Sequence, residues 1–290
     1  SLLVFGIIAL SPGDPAAMML GPEATAEQRQ LERVRLGLDQ PVYVRYVVWL
    51  GDMAHLRFGY SLLSGRSVTS LFATAFPNTL MLALTSMVIS VILGVLLGIF
   101  SALKRNKPID LFITSASSVA LAVPSFWLGI LMILLFSVLL HWLPASGTND
   151  LDGNFGTSLK YLVMPVVSIA FGQIAVFARY SRAAMLDVLS ADYIRTARAK
   201  GLIERVVISR HALRNSLIPV VTIIGIQFAR LLGGAVITEA VFAFSGIGRL
   251  VIVSILNRDY PVVQAILMII VLIFVFTNLL VDLSYGLLDP

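Results

Sequence analysis

Residues 67–103 read SVTSLFATAFPNTLMLALTSMVISVILGVLLGIFSAL, and no position in that stretch carries an acidic or basic side chain. A helix needs roughly 20 predominantly apolar residues to cross the hydrocarbon core of a bilayer, so this stretch has length to spare. Three further charge-free stretches follow at 111–149, 161–178 and 262–281, and a fifth, 215–238, is apolar apart from Arg230. Composition alone would not decide the matter. The 58% of hydrophobic and 13% of charged residues, against roughly 45–50% and about 25% in soluble domains, would also fit a large buried core. The clustering of the charges outside long apolar runs settles it. The chain is expected to be an all-α polytopic membrane protein.

Ser1 to Leu10 is apolar but too short to span, and is read as the remnant of a first transmembrane helix, with Ser11-Pro12-Gly13-Asp14-Pro15 as its stop. The tail of a signal peptide is the alternative, but such peptides end in a small-residue cleavage site. Counting the remnant, six transmembrane helices are expected, the first truncated.

Orientation follows from Lys and Arg, which mark cytoplasmic loops. Lys104, Arg105 and Lys107 follow one span, and Arg179, Arg182, Arg195, Arg198, Lys200, Arg205, Arg210 and Arg214 follow another; the opposite side has Lys160, Arg249 and Arg258. The basic loops are therefore placed inside. Residues 11–77 become an extracytoplasmic helical segment, and 78–290 the transmembrane domain. Within 11–77, Thr25-Ala26-Glu27-Gln28 has capping-box spacing and opens a helix through Leu36, which Gly37 ends. Pro41 suits the start of the next helix, on which Val42, Tyr46, Trp49, Leu50 and Met53 share a face. That segment reads either as a cap over the membrane domain or as a platform for an external partner.

Several chemistries are excluded. No cysteine is present, which removes disulfides, thiolate metal sites and cysteine nucleophiles. His55, His141 and His211 fall in three different loops and cannot cluster on a metal. No Gly is followed by Lys, so a phosphate-binding G-x-x-x-x-G-K-[ST] loop is missing and the chain itself takes no ATP or Mg that way. No G-x-S-x-G elbow occurs, and Ser245-Gly246-Ile247-Gly248 reads as a turn. A pI near 9.7 fits orientation-setting charges rather than a nucleic-acid partner. Ion coupling would need intramembrane titratable groups, and only Arg230, with Glu239 and Asp282 at span edges, qualifies.

The segment 187–214 is too polar to span and too long for a turn. Ser190 can cap a helix with Asp192 in its first turn, against the positive end of the dipole. That helix would run through Tyr193-Ile194-Arg195-Thr196-Ala197-Arg198-Ala199-Lys200 and stop at Gly201; a second short helix from Ile203 would lead into the next span. Thr196, Ala197 and Ala199 are small enough for a protein surface to approach, while Arg195, Arg198 and Lys200 offer charge. Attraction to anionic lipid, roughly 1 kcal/mol per basic residue, explains the charges but not the small residues and the glycine.

Asp192-Tyr193-Ile194-Arg195-Thr196-Ala197-Arg198-Ala199-Lys200-Gly201, followed by Arg210-His211-Ala212-Leu213-Arg214-Asn215-Ser216-Leu217-Ile218-Pro219, resembles the cytoplasmic coupling motif of ABC importer permeases, specifically the dipeptide, oligopeptide and nickel branch. Pro12-Gly13-Asp14-Pro15, Leu36-Gly37-Leu38-Asp39-Gln40-Pro41, Phe58-Gly59-Tyr60-Ser61, Pro124-Ser125-Phe126-Trp127-Leu128-Gly129, Asp259-Tyr260-Pro261-Val262 and Asn278-Leu279-Leu280-Val281-Asp282 extend the resemblance along the chain. Where the general motif has Glu-Ala-Ala before its glycine, Arg195-Thr196-Ala197 stands here. The resemblance implies a type I ABC importer permease fold with cytoplasmic coupling helices, in a bacterial inner membrane. It implies a heterodimer with a second permease, two ATP-binding cassette ATPase subunits that bind ATP and Mg, an extracytoplasmic solute-binding protein, and surrounding lipid. Arg195, Thr196, Ala197, Arg198, Lys200 and Gly201 would then meet the ATPase. Peptides lead as substrate, with nickel chelates, glutathione and opines open. A stand-alone channel or ion-coupled carrier is the rival class.

For the path itself, Gln173 and Gln227 are polar positions in apolar spans, and Arg230 lies one helical turn after Gln227 on the same face. Interhelical hydrogen bonding is the plain reading of the two glutamines. Arg230 has three: an acidic partner, snorkelling to the outer surface, or contact with an anionic group of the substrate.

Overall fold

The computed structural model describes residues 1–9, 15–20, 24–35, 37–147 and 155–288; of the stop expected at Ser11 to Pro15 all but Pro15 lies outside them, as does Leu36. The chain order is α1 (Leu2–Ala9), α2 (Pro15–Leu20), α3 (Ala26–Arg35), α4 (Val42–Ala54), α5 (Val68–Leu103), α6 (Pro108–Ala122), α7 (Ser125–Met132, continued by a π-helix Ile133–Leu139), α8 (Phe155–Ser190), α9 (Asp192–Ala199), α10 (Glu204–Val206, continued by a π-helix Val207–Ala212), α11 (Leu213–Gly234), α12 (Val236–Val241), α13 (Ile247–Leu256) and α14 (Tyr260–Leu288). Among the described residues extended pairing is limited to one isolated bridge, Tyr60 with Ser67.

Among the described residues four helical stretches are long and apolar enough to cross a membrane: Val68–Leu103, Leu159–Ser190, Glu204–Gly233 and Tyr260–Val281. The charge-free run 111–149, expected as one span, is broken. Its two helices, Pro108–Ala122 and Ser125–Leu139, meet at 92°. At the break Val123, the residue before Pro124, has φ −84, ψ 119, the extended region that a following proline favours. Pro165 and Pro219, by contrast, lie inside the continuous α8 and α11. The 36 residues of α8 make a rod of about 54 Å, well beyond a hydrocarbon core of about 30 Å.

The chain forms two compact units, Ser1–Asn78 with Ser245–Ile273, and Thr79–Phe244 with Phe274–Pro290. In the first unit the capping box is present: Thr25 N–H donates to Gln28 Oε1 at 2.9 Å, and Gln28 N–H to Thr25 Oγ1 at 3.3 Å. On α4, Phe5 packs against Tyr46 and Trp49 with ring centroids 5.4 and 5.6 Å away, and Met53 joins a core of Val68, Ile247, Val251, Val262 and Ile266. Val42 and Leu50, expected on the same face, stay exposed. Two of the family-like motifs, 58–61 and 259–262, meet here. The buried Asp259 carboxylate accepts from the Ser61 hydroxyl at 2.5 Å and from Leu62 N–H at 3.0 Å, which pins the 59–68 turn to the start of α14.

In the second unit α8 is the common neighbour of α6, α7 and α11. It also crosses α5 at very short range. A Cβ on Gly94 would lie 2.6 Å from Phe177 Cβ and 2.7 Å from Ile174 O; one on Gly98 would lie 2.5 Å from Ala178 O and 2.7 Å from Ser181 Cβ. Glycines four apart expose a strip of bare backbone, and without a hydrophobic drive between helices in lipid such close van der Waals contact holds them together.

Candidate functional site

The polar segment after α8 folds as two short helices around a glycine turn. Asp192 lies in the first turn of α9, whose N-cap is Ala191 with no side-chain cap. Ser190, expected to fill that role, is instead the last residue of α8, its hydroxyl bonded back to Asp187 O at 2.8 Å. The other end closes as a Schellman motif: Gly201 N–H donates to Arg198 O at 2.9 Å and Leu202 N–H to Ala197 O at 3.4 Å. Gly201 has φ +80, and a Cβ there would meet nothing within 4 Å. The glycine answers a backbone conformation, not a lack of room.

This element has two faces. Ile194 and Ala197 are buried with Ala102 from α5, Met185 from α8, and Val207 and Ala212 from the π-helix ahead of α11. Arg195, Thr196, Arg198, Lys200 and Gly201 are exposed. Of the candidate contact residues, Ala197 thus faces its own chain, where its small side chain lets α9 lie against the ends of α5 and α8. Arg198 forks onto Glu204 across the glycine turn, at 3.1 and 2.7 Å; both are exposed, so the pair adds at most about 1 kcal/mol. Asn215 Nδ2 donates to Tyr193 Oη at 2.9 Å and ties α9 to the start of α11.

One anchor beside this element has no counterpart in the sequence reading. Asp110, in the first turn of α6 and 2% exposed, accepts both Nε and an Nη of Arg182 from α8, at 2.7 and 2.8 Å. It also accepts the Ser101 hydroxyl of α5 and, at 2.9 Å, the N–H of Asn106, which has φ 62. Three helices meet on one carboxylate. In sequence Asp110 looks like a helix N-terminal acid and Arg182 like one more orientation-setting charge. The tight α5–α8 crossing did leave a signal, the G-x-x-x-G of 94–98 within an apolar run.

The polar positions in the spans also come together. Gln227 of α11, 8% exposed, donates Nε2 to Gln173 Oε1 of α8 at 2.8 Å, and Arg230 donates to Gln227 Oε1 at 3.4 Å. Gln173 and Arg230 line a cavity of about 240 Å³ with Val123 and Ser125 at the α6–α7 bend, Gly172 and Ala235. Glu239 lies elsewhere in this unit, buried, and accepts the Thr79 hydroxyl at 2.6 Å. The side chain of Asp282 is outside the described residues. Among the described residues no group of three or more His, Cys, Asp or Glu is placed to hold a metal.

Known proteins resemble this chain in sequence and in fold. The family described as "Binding-protein-dependent transport system inner membrane component" matches residues 94–290, and the N-terminal region of such membrane components matches residues 1–83. The chain is 44% identical over 291 residues to the glutathione transport system permease protein GsiC of Escherichia coli (strain K12), covering 100% of this chain and 92% of that one. It is 40% identical over 311 residues to the di/tripeptide transport system permease protein DppB of Pseudomonas aeruginosa (strain UCBPP-PA14), with 100% and 93% covered. Against the oligopeptide transport system permease protein AppB of Bacillus subtilis (strain 168) the figures are 39% over 293 residues, 100% and 93%. Among solved structures it resembles the MetNI methionine ABC transporter in inward-facing conformations, with TM-score 0.62, 18% identity and 77% of this chain and 98% of that one covered. An amino acid ABC transporter crystallised with histidines gives 0.59, 19%, 74% and 93%. At such identities the likeness is one of fold.

Proposed function

The chain belongs to the family of binding-protein-dependent transport system inner membrane components, and from that premise we propose how its elements do the work of import. It is a multi-pass permease subunit of an ABC importer in the inner membrane. ATP and Mg act in two partner ATPase subunits, a solute-binding protein delivers from outside, and a second permease embedded in the same lipid completes the pathway. The solute is a peptide or a similar small molecule, in keeping with the di/tripeptide, oligopeptide and glutathione systems for which its relatives are named.

The observation that carries this reading is the two-faced α9 element. Its buried face is fused to the ends of α5 and α8 through Ile194 and Ala197, so a displacement imposed on its exposed face moves the spans instead of bending a loop. Closure of the ATPases on ATP moves α9 and switches the spans between inward- and outward-facing arrangements. Thr196 and the open surface at Gly201 take the direct contact, and Arg195, Arg198 and Lys200 set its electrostatics. Ala197 acts from the inner face. Rim charges mainly alter association rate and salt dependence, so their neutralisation should weaken assembly most at low ionic strength. The segment 11–77 lies outside the membrane on this reading and meets the binding protein, and the Gln173–Gln227–Arg230 string lines the path.

The test is uptake of a labelled peptide into proteoliposomes. The assembled importer takes it up only with ATP and the binding protein, and this chain alone takes up none. Uptake by the chain alone would instead indicate a channel or an ion-coupled carrier. A finer test is Gly201→Val. A β-branched side chain in the left-handed region costs roughly 1–2 kcal/mol and opens the Schellman turn, so ATP-driven uptake should fall about tenfold, one such step in free energy. Gly201→Asn, whose side chain tolerates that conformation, should recover most of it. Normal uptake in the valine variant would sink the assignment.

A further inference from the structure

We infer that the cavity lined by Gln173 and Arg230, both tied to Gln227, is an anion subsite that receives a carboxylate of the transported solute; this rests on the importer reading above and names the chemistry of its path. The hydrogen bonds have a direction. Gln227 Oε1 accepts from Arg230, and Gln173 Oε1 accepts from Gln227 Nε2. Each amide oxygen thereby accepts one bond within the string, and the lining side chains keep unused donors: the amide N–H groups of Gln173 and the remaining guanidinium N–H groups of Arg230. Among the described residues no Asp or Glu lines the cavity and Arg230 forms no ion pair, its one bond being the long contact to Gln227.

A cation in a membrane-spanning helix is expensive, and such residues pair or mark a ligand pathway. Here the first option is not taken up by the described residues of this chain, while Arg230 and Gln173 both line the cavity. Gly172 contributes to that space, since a Cβ there would have its nearest neighbour, Ala120 O, 3.9 Å away. At about 240 Å³ the cavity is smaller than the roughly 300–1,000 Å³ of whole-ligand sites, so it suits a terminal group and not an entire oligopeptide. A planar guanidinium fork matches a carboxylate better than any other side chain does. The bend at Pro124 is what brings Val123 and Ser125 around to wall the cavity opposite α8 and α11.

The experiment uses the complete importer in proteoliposomes with its binding protein at saturation. The solute that the purified binding protein retains is identified by mass spectrometry, then supplied with its carboxylate free and as the carboxamide. Arg230→Gln should lower uptake of the free carboxylate about tenfold or more, the scale of a charge-assisted hydrogen bond, while uptake of the carboxamide changes by less than about threefold. Arg230→Lys, which keeps the charge but not the fork, should fall between. Equal losses for both forms would assign Arg230 to structure or to a partner subunit and overturn the inference, as would an undiminished rate or a retained solute with no carboxylate. Absence of ATP-dependent uptake in the wild type would instead remove the importer reading itself.

Discussion

Substitution of Gly98 by valine is expected to leave little folded permease in the membrane. The crossing of α5 and α8 puts backbone, not flexible side-chain tips, against this position: a Cβ added here would lie 2.5 Å from Ala178 O and 3.0 Å from Arg182 N, with Ser181 Cβ at 2.7 Å. Neither rod can yield locally, because α8 is held on other sides by α6, α7 and α11. Overpacking of a fixed core costs about 1–3 kcal/mol or more, and here the added atoms would wedge two membrane helices apart. Even Gly98→Ala should lower the thermal midpoint of the detergent-solubilised protein, and Gly94→Val should behave like Gly98→Val. Gly51→Ala is the contrast, since nothing lies within 4 Å of a Cβ there and alanine favours the helix by roughly 0.5–1 kcal/mol. Equal midpoints for Gly98→Ala and wild type would show that the helices do not approach so closely.

The Asp110–Arg182 pair should respond asymmetrically to mutation. Arg182→Ala strands a carboxylate whose side chain is 3% exposed, leaving it the Ser101 hydroxyl and the Asn106 N–H. Breaking a buried pair from that side costs about 3–5 kcal/mol. Asp110→Ala leaves a guanidinium that is 28% exposed and can turn to water, so its cost should be nearer about 1.5–3 kcal/mol, a lost charge-assisted hydrogen bond. The double variant Asp110→Ala/Arg182→Ala should therefore melt above Arg182→Ala alone. Ranking the three midpoints checks this; Asp110→Ala as the worst of them would mean that the arginine, not the aspartate, is the buried partner. Because Ala102, next to Ser101, and Met185, one turn after Arg182, bring the same helix ends to the α9 core, ATP-driven uptake should follow the same ranking.

Neither contact is legible in full from the linear order of residues. Asp110 and Arg182 are 72 residues apart, and each has an adequate local explanation, so nothing in the sequence couples them. The glycines at 94 and 98 do carry a sequence pattern, but it names a face and not the partner helix. The same limit applies to Ala197. Its smallness is legible, yet only the fold turns it toward Met185 and Ala102 of its own chain. Ser190 is legible as a possible cap, but α8 continues one residue too far for it to serve, and α9 starts uncapped from Ala191.

The charge-free run at 67–103 determined the solvent, the helical class and the scale of the molecule, because a bilayer leaves a long apolar segment no other way to satisfy its backbone. Local chemistry also determined the Thr25 capping box and the Gly201 turn, each of which depends on the φ and ψ that neighbouring residues permit; the break at Pro124 was not among them, since Pro165 and Pro219 sit inside continuous helices. What only the tertiary structure decided is which polar groups meet. Gln173 with Gln227 and Arg230, Asp110 with Arg182 and Ser101, and Asp259 with Ser61 are all pairings across separate elements. The physical reason is that apolar helices in lipid are nearly interchangeable along most of their surface. Their register is set by a few close glycine contacts and a few buried hydrogen bonds, and those exist only once the helices are side by side.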